Sequence, residues 1–189
     1  MLPLKNGVRG RTCVSCRKKS SIYAFLSPFS YDDPLIREAL HCLKYKRMRG
    51  IADVMGELLF EYILSFHIIL PPKHILCPVP LAASRRRIRG FNQAELIAVA
   101  LQKRFGISGI FDPALLAKIK MTRPQVGLSR EARQENIKNS FRVPFAEKVR
   151  GKDIVLVDDV KTTGATIEEA ARVLKEAGAK RVWAITVAH

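Results

Sequence analysis

Apolar positions recur along this chain with two different periods, and the switches between them predict its elements. After Asp33 and Pro34, a cap followed by a favoured first helical residue, Leu35, Ile36, Ala39, Leu40 and Leu43 fall on one helical face. Ile51, Val54, Met55, Leu58, Leu59, Tyr62, Ile63 and Phe66 then keep the i, i+3, i+4 pattern of a second helix, which ends before Pro71 and Pro72. His74–Val79 reads as a short buried strand. Asn92 and Glu95 have the spacing of a capping box and open a helix to about Phe105. Leu115–Ile119 predicts a strand and Ser129–Asn139 a polar helix. Ile154–Val157 and Val182–Val187, rich in β-branched residues, predict strands on either side of a helix at Ile167–Ala177 that Gly178 stops. Strands alternating with helices predict an α/β domain on a doubly wound parallel sheet with flanking helices. Ligands of such sheets bind beyond the C-terminal strand ends.

Charge adds a partner class to this picture. The chain has 189 residues, 48% of them hydrophobic, and a formal net charge of +16. That length predicts one domain with a small appendage. We divide it into a basic N-terminal segment, residues 1–30, and an α/β domain, residues 31–189. The charge is clustered: residues 1–50 carry eleven Lys and Arg against three acids, and residues 118–152 carry ten against three. Such clustering predicts attraction to polyanions such as nucleic acid, nucleotides or pyrophosphate, although a solvated, solubilising surface has the same composition. The N-terminus lacks an apolar signal region, and the most apolar stretch, Ile51–Cys77, is broken by Asp53, Glu57, Glu61 and His67. No membrane span is expected, and the cytoplasm is the expected location. Four cysteines without a framework spacing agree with a reducing compartment.

The chemistry concentrates at Val155–Thr166, where an apolar run ends in Asp158 and Asp159 and a loop of Lys161, Thr162, Thr163, Gly164, Ala165 and Thr166 leads into a helix. Exposed N–H groups, hydroxyls and a helix N-terminus suit a sugar phosphate. The two carboxylates suit ribose hydroxyls or Mg²⁺ held through water. Thr166 and Glu169 also match a capping box, so the same residues serve a plain helix start. A second basic element follows the strand ending at Pro78–Pro80: a loop with Arg85, Arg86, Arg87 and Arg89, before the capped helix at Asn92. Arginine forks suit a diphosphate, and a solvated basic loop is the alternative. Met121–Phe141, polar and punctuated by Pro124 and Gly127, reads either as a lid that excludes water or as a connector. His41, His67, His74 and His189 are scattered, and none is assigned a role.

The Val155–Thr166 stretch resembles the motif with which type I phosphoribosyltransferases bind 5-phosphoribosyl 1-diphosphate (PRPP), with Lys161 where that family usually has an aliphatic residue. A closer resemblance spans residues 31–189. LKY at Leu43–Tyr45, PVPL at Pro78–Leu81, RGFNQ at Arg89–Gln93, TRPQ at Thr122–Gln125, Arg133 with Asn136, and VDDVKTTGAT together resemble the ComF family of competence-associated proteins. The resemblance implies a type I phosphoribosyltransferase-like fold. It implies that Asp158, Asp159, Thr162, Thr163, Gly164, Ala165 and Thr166 bind the ribose 5-phosphate of Mg²⁺–PRPP, and that Arg85 and Arg89 bind its diphosphate. It also implies a link to DNA uptake, and it leaves the acceptor undefined.

ComF-like proteins commonly begin with a zinc ribbon of paired CxxC knuckles, and this chain has one, Cys13 and Cys16. Four-ligand zinc needs two more donors. Cys42 and Cys77 fall in a predicted helix and strand, so the segment resembles half a ribbon, with a redox pair or inert thiols as alternatives. Two functions are therefore expected to compete. One is a phosphoribosyl transfer to a nitrogen nucleophile. The other is binding of single-stranded DNA, with Arg17, Lys18 and Lys19 on phosphates and the PRPP pocket kept as a sensor. Tyr23, Phe25, Phe29 and Tyr31 are candidates for base stacking, but core packing is the preferred reading for most of them.

Overall fold

The computed structural model describes residues 20–105, 109–120 and 130–189. Its centre is a five-stranded sheet of order β1-β7-β6-β2-β3, made of β1 (Ala24–Leu26), β2 (His74–Pro78), β3 (Gly109–Phe111), β6 (Asp153–Val160) and β7 (Arg181–Ala188). Every pairing in it is parallel. The residues of β6 alternate between two apolar layers, as a parallel sheet buried on both faces requires. Val155 and Val157 join one layer, with Trp183 and Ile185 of β7 beside them. Ile154 and Leu156 join the other, with Val182 and Ala184.

Helices cover both faces. On the first lie α1 (Pro34–Tyr45), α2 (Gly50–Ser65) and α4 (Gln93–Phe105), which contribute Leu40, Leu43, Leu59, Ile63, Ile97 and Leu101 to the core. On the second lies α6 (Ala165–Glu176), with Ile167, Ala170, Ala171 and Leu174. Asp33 caps α1 as expected, its Oδ1 accepting from Leu35 N at 2.8 Å and Ile36 N at 3.3 Å. Helices α2 and α4 approach so closely that a Cβ on Gly56 would stand 2.4 Å from the Ala100 Cβ. The remaining elements are α3 (Ala83–Arg89), α5 (Arg130–Ile137) and a small antiparallel pair, β4 (Ala117–Lys118) with β5 (Phe141–Arg142).

The structure changes several sequence expectations. The arginine run after β2 is a short helix, α3, ended by Gly90 at φ 84°, where the expectation was a loop. The apolar run at 115–119 contains only a two-residue strand, outside the main sheet, because Leu115 and Leu116 are spent as buried core. The acidic pair lies inside β6 rather than after it, since Asp158 pairs in register with Thr186 and Val160 with Ala188. The Thr166–Glu169 box is replaced: Gly164 takes the N-cap position of α6, and Glu169 instead accepts from Asn139 N at 2.6 Å and pairs with Arg172 at 2.7 Å. Likewise Asn92 donates its side-chain amide to Val79 O at 3.0 Å, and Glu95 turns to Arg86 at 3.3 Å.

Part of the segment assigned to the N-terminal appendage belongs to the sheet, since β1 pairs with β7 from Ala24 opposite Trp183. Its aromatic rings pack there. Tyr23 meets Trp183 with centroids 5.5 Å apart and Phe25 lies edge-on to His189, while the backbone of Phe29 forms a parallel bridge with Ala188.

Candidate functional site

A cleft of about 640 Å³ opens beyond the C-terminal ends of β2 and β6. One wall is the end of β6 with its following loop. Asp158 accepts from the backbone N–H of Asp159 at 2.9 Å, and Asp159, 8% exposed, points at Lys44 of α1. Their ion pair closes at 2.7 Å. Burial raises the pKa of Asp158, and the neighbouring Asp159 charge raises it further, so the pair resists carrying two negative charges. Burial works against the Lys44 ammonium, but the attraction of Asp159, reinforced by Asp158, prevails and holds its pKa above the ordinary lysine value.

The loop at 161–164 turns sharply into α6. Gly164 sits at φ 81°, a conformation that glycine adopts without strain, and the Lys161 Cε lies 2.8 Å from where a Cβ would stand. Lys161 folds back over the loop with its Nζ 4.2 Å from the centre of the Phe25 ring. The first residues of α6 line the cleft, where the helix itself offers their N–H groups no acceptor, and Ala165 N donates to Thr163 Oγ1 at 3.5 Å. Thr162, Thr163, Gly164, Ala165 and Thr166 all line the cavity.

The opposite wall is cationic. Arg85 and Arg89 of α3 both line the cleft. Arg89 stacks its guanidinium 5.5 Å from the centre of the Tyr45 ring. Burial lowers its pKa, against the favourable pull of Asp159. Arg47 donates to Ile88 O at 3.0 Å and ties the α1–α2 turn to α3. Consecutive residues of one helix end therefore support both walls: Lys44 neutralises Asp159, and Tyr45 carries Arg89.

The fold thus gathers Asp158, Asp159, residues 162–166, Arg85 and Arg89 in one cleft. Arg17, Lys18, Lys19, Cys13 and Cys16 lie outside the described residues, as do Thr122–Gln125. Several cleft residues received no role from the sequence. Lys44 and Tyr45 stood in the LKY motif, but nothing local linked them to the carboxylates. His41, Gln93 and Lys118 also line the cavity, as does Tyr31, a stacking candidate in the sequence, and the His41 and Tyr45 rings lie 4.8 Å apart. Helical spacing places His41, Lys44 and Tyr45 on one face of α1, which was the available signal. Among the described residues no cluster of three or more His, Cys, Asp or Glu could hold a metal by itself. No described helix is long and apolar enough to cross a membrane.

Comparison with known proteins agrees with this geometry. Residues 110–189 match the family model of the phosphoribosyl transferase domain. The DNA utilization protein YhgH of Salmonella typhi is 33% identical over 179 residues, covering 92% of this chain and 76% of the relative. Competence protein F of Haemophilus influenzae is 34% identical over 122 residues, 63% of this chain and 52% of the relative. Competence protein ComFC of Bacillus subtilis is 30% identical over 154 residues, 80% of this chain and 58% of the relative. With a parallel sheet, a strand-end acidic pair and a threonine-rich loop at a helix start, this chain has the phosphoribosyltransferase fold and belongs to the ComF family.

Proposed function

We propose that the cleft binds Mg²⁺–PRPP and that the protein transfers the phosphoribosyl group to a nitrogen nucleophile. The observation that carries this reading is the meeting of a phosphate-type loop and an arginine wall across one cavity, with the acidic pair at its edge. The loop and the N-terminus of α6 would hold the 5′-phosphate. Asp158 and Asp159 would orient the ribose hydroxyls. Arg85 and Arg89 would neutralise the leaving diphosphate as the C1–oxygen bond breaks and the C1–nitrogen bond forms, the nucleophile's proton passing to solvent. Catalysis of this kind is largely positioning and electrostatics.

The donor set fits Mg²⁺. Asp158 and Asp159 supply hard carboxylate oxygens, and only the Oδ2 of Asp159 is engaged by Lys44, so water and the diphosphate would complete the shell. Bound there, the ion would offset part of the diphosphate charge. In a thermal-shift assay, PRPP at a hundred times its dissociation constant adds about 2.7 kcal/mol of stability. Asp159→Asn with Thr163→Ala removes that shift while the apo protein still unfolds cooperatively. A double variant that binds PRPP as the parent does would sink the assignment.

The net charge of +16 favours a second reading, in which the protein binds single-stranded DNA. The relatives' names, a DNA utilization protein and two competence proteins, point the same way and support a role in DNA uptake. In this reading log affinity falls linearly with log salt, by about 0.7 per phosphate contacted. Neutralising Arg17, Lys18 and Lys19 then flattens the slope by roughly two units. An unchanged slope would remove these residues from the interface. Absence of binding at about 50 mM salt leaves the small-molecule reading alone.

A further inference from the structure

At the N-terminal ends of the strands, opposite the cleft, three lysines stand in a row. Lys73, Lys152 and Lys180 each immediately precede the first residue of β2, β6 and β7, which are neighbours in the sheet. The registers of these strands, Ile75 opposite Ile154 and Asp153 opposite Arg181, bring the three lysine positions side by side. Lys180 N donates to Lys152 O at 2.8 Å. All three lysines are exposed, as is Arg150, whose Cγ lies 3.4 Å from where a Cβ on Gly178 would stand. Among the described residues none of these four cations makes an ion pair. Asp153, the acid next to Lys152 in the chain, is already held by Arg181 at 2.6 and 3.0 Å.

The row leads towards the start of the described chain. A hollow of about 280 Å³ is lined by Ser20, Ser21, Lys175, Lys180 and Arg181. Lys175 Nζ donates to Ala179 O at 2.8 Å and Lys180 O at 2.9 Å, which keeps a further positive charge beside Lys180. Arg17, Lys18 and Lys19 immediately precede Ser20 in the chain. Neighbouring strands lie about 4.8 Å apart, so the three strand-leading lysines lie along a line of about 10 Å. A row one cation wide suits a line of charges such as a single phosphate backbone, whereas a membrane surface needs a broad patch. Like charges held on one rigid edge repel, and phosphates laid along them remove that cost. The eight residues of β7 separate this edge from the cleft by roughly 23 Å.

We infer that Lys73, Lys152 and Lys180, with Arg150 beside them, form a track for the phosphates of a single-stranded nucleic acid, continuous along the chain with Arg17, Lys18 and Lys19. This rests on the single-strand reading above and gives it a surface on the folded domain, at the end of the sheet remote from the small-molecule cleft. Contacts to phosphates alone carry no sequence information, so binding is indifferent to base sequence.

The test follows a fluorescent homothymidine single strand by anisotropy against the full chain over a range of salt. Lys73→Gln with Lys152→Gln and Lys180→Gln lowers the affinity and flattens the slope of log affinity against log salt by about two units, 0.7 for each of three phosphates. Lys73→Arg with Lys152→Arg and Lys180→Arg keeps the parent slope, because the charges stay. Arg37→Gln with Lys120→Gln and Arg142→Gln removes the same charge from three exposed cations outside the row and also keeps the parent slope. Adding Arg17→Gln, Lys18→Gln and Lys19→Gln to the row variant flattens the slope by about four units in all, as one continuous track requires. Saturating PRPP at matched ionic strength leaves the strand bound. An unchanged slope in the row variant, an equal loss in the variant outside the row, tighter binding of the duplex form, or displacement of the strand by PRPP would each overturn the inference. If the parent binds no single strand at about 50 mM salt, the single-strand reading falls and this inference with it. If the parent binds and the row variant matches it, the inference alone fails.

Discussion

Replacing Lys44 by Met tests how the cleft is held together before any ligand arrives. The substitution keeps the length and apolar stem of the side chain and deletes one charge of a buried pair. At 2.7 Å and an effective dielectric of about 20, the attraction between Lys44 and Asp159 is about 6 kcal/mol before desolvation is subtracted. The two side chains are only 18% and 11% exposed, so most of their hydration is already lost. Removing one partner leaves Asp159 uncompensated beside Asp158, and such losses cost about 3–5 kcal/mol. We expect about 3 kcal/mol in urea unfolding at pH 7, because the pair lies at a cleft edge, or a fall in Tm of roughly 6–12 °C at this chain length.

Lys44→Met with Asp159→Asn should recover most of that loss, giving a coupling energy of about 2 kcal/mol in a double-mutant cycle. The pH dependence has a defined sign. The folded pKa of Lys44 is raised, so its contribution is complete below the unfolded value of 10.5 and is lost as the pH rises through the folded value. Parent and Lys44→Met therefore converge in stability above that range. A loss below about 1 kcal/mol, the size expected of an exposed pair, or additivity of the two substitutions, would refute the reasoning.

Three further outcomes follow from the same contacts. Arg85→Ala with Arg89→Ala should weaken PRPP far more than ribose 5-phosphate in calorimetry, whereas equal losses would mark the arginines as a general electrostatic surface. Glu169 is buried, which by itself raises its pKa, but the Arg172 hydrogen bond and the Asn139 N–H lower it overall. Its contribution is therefore present above the ordinary glutamate value of 4.5 and is lost as the pH falls through the lower folded value, so Glu169→Gln should be less stable than the parent at pH 7 and converge with it in acid denaturation. Gly56→Ala gains about 1 kcal/mol of helix propensity but drives its Cβ to 2.4 Å from that of Ala100, and chemical denaturation should show a net loss of about 1–2 kcal/mol.

The sequence by itself determined the elements whose periodicity is local. The capped face of α1, the long apolar pattern of α2 and the alternating layers of β6 and β7 all repeat at the spacing of one backbone geometry, so neighbours in sequence report the structure. The acidic pair and threonine loop were legible for a similar reason, since strand end, turn and helix start are contiguous.

Tertiary structure decided everything that joins distant residues. Lys44 lies 115 positions before Asp159, and their 2.7 Å pair depends on α1 crossing the end of β6. Glu169 matched a cap by spacing, yet the side chain goes to Arg172 and to Asn139, thirty residues away, because Gly164 at positive φ already starts the helix. Lys118 looked like one cation among many. Only the fold brings it to line the same cavity as Arg85 and Asp158. Local spacing carries propensity and capping, whereas the partner of a buried charge is set by which elements the packed core brings together.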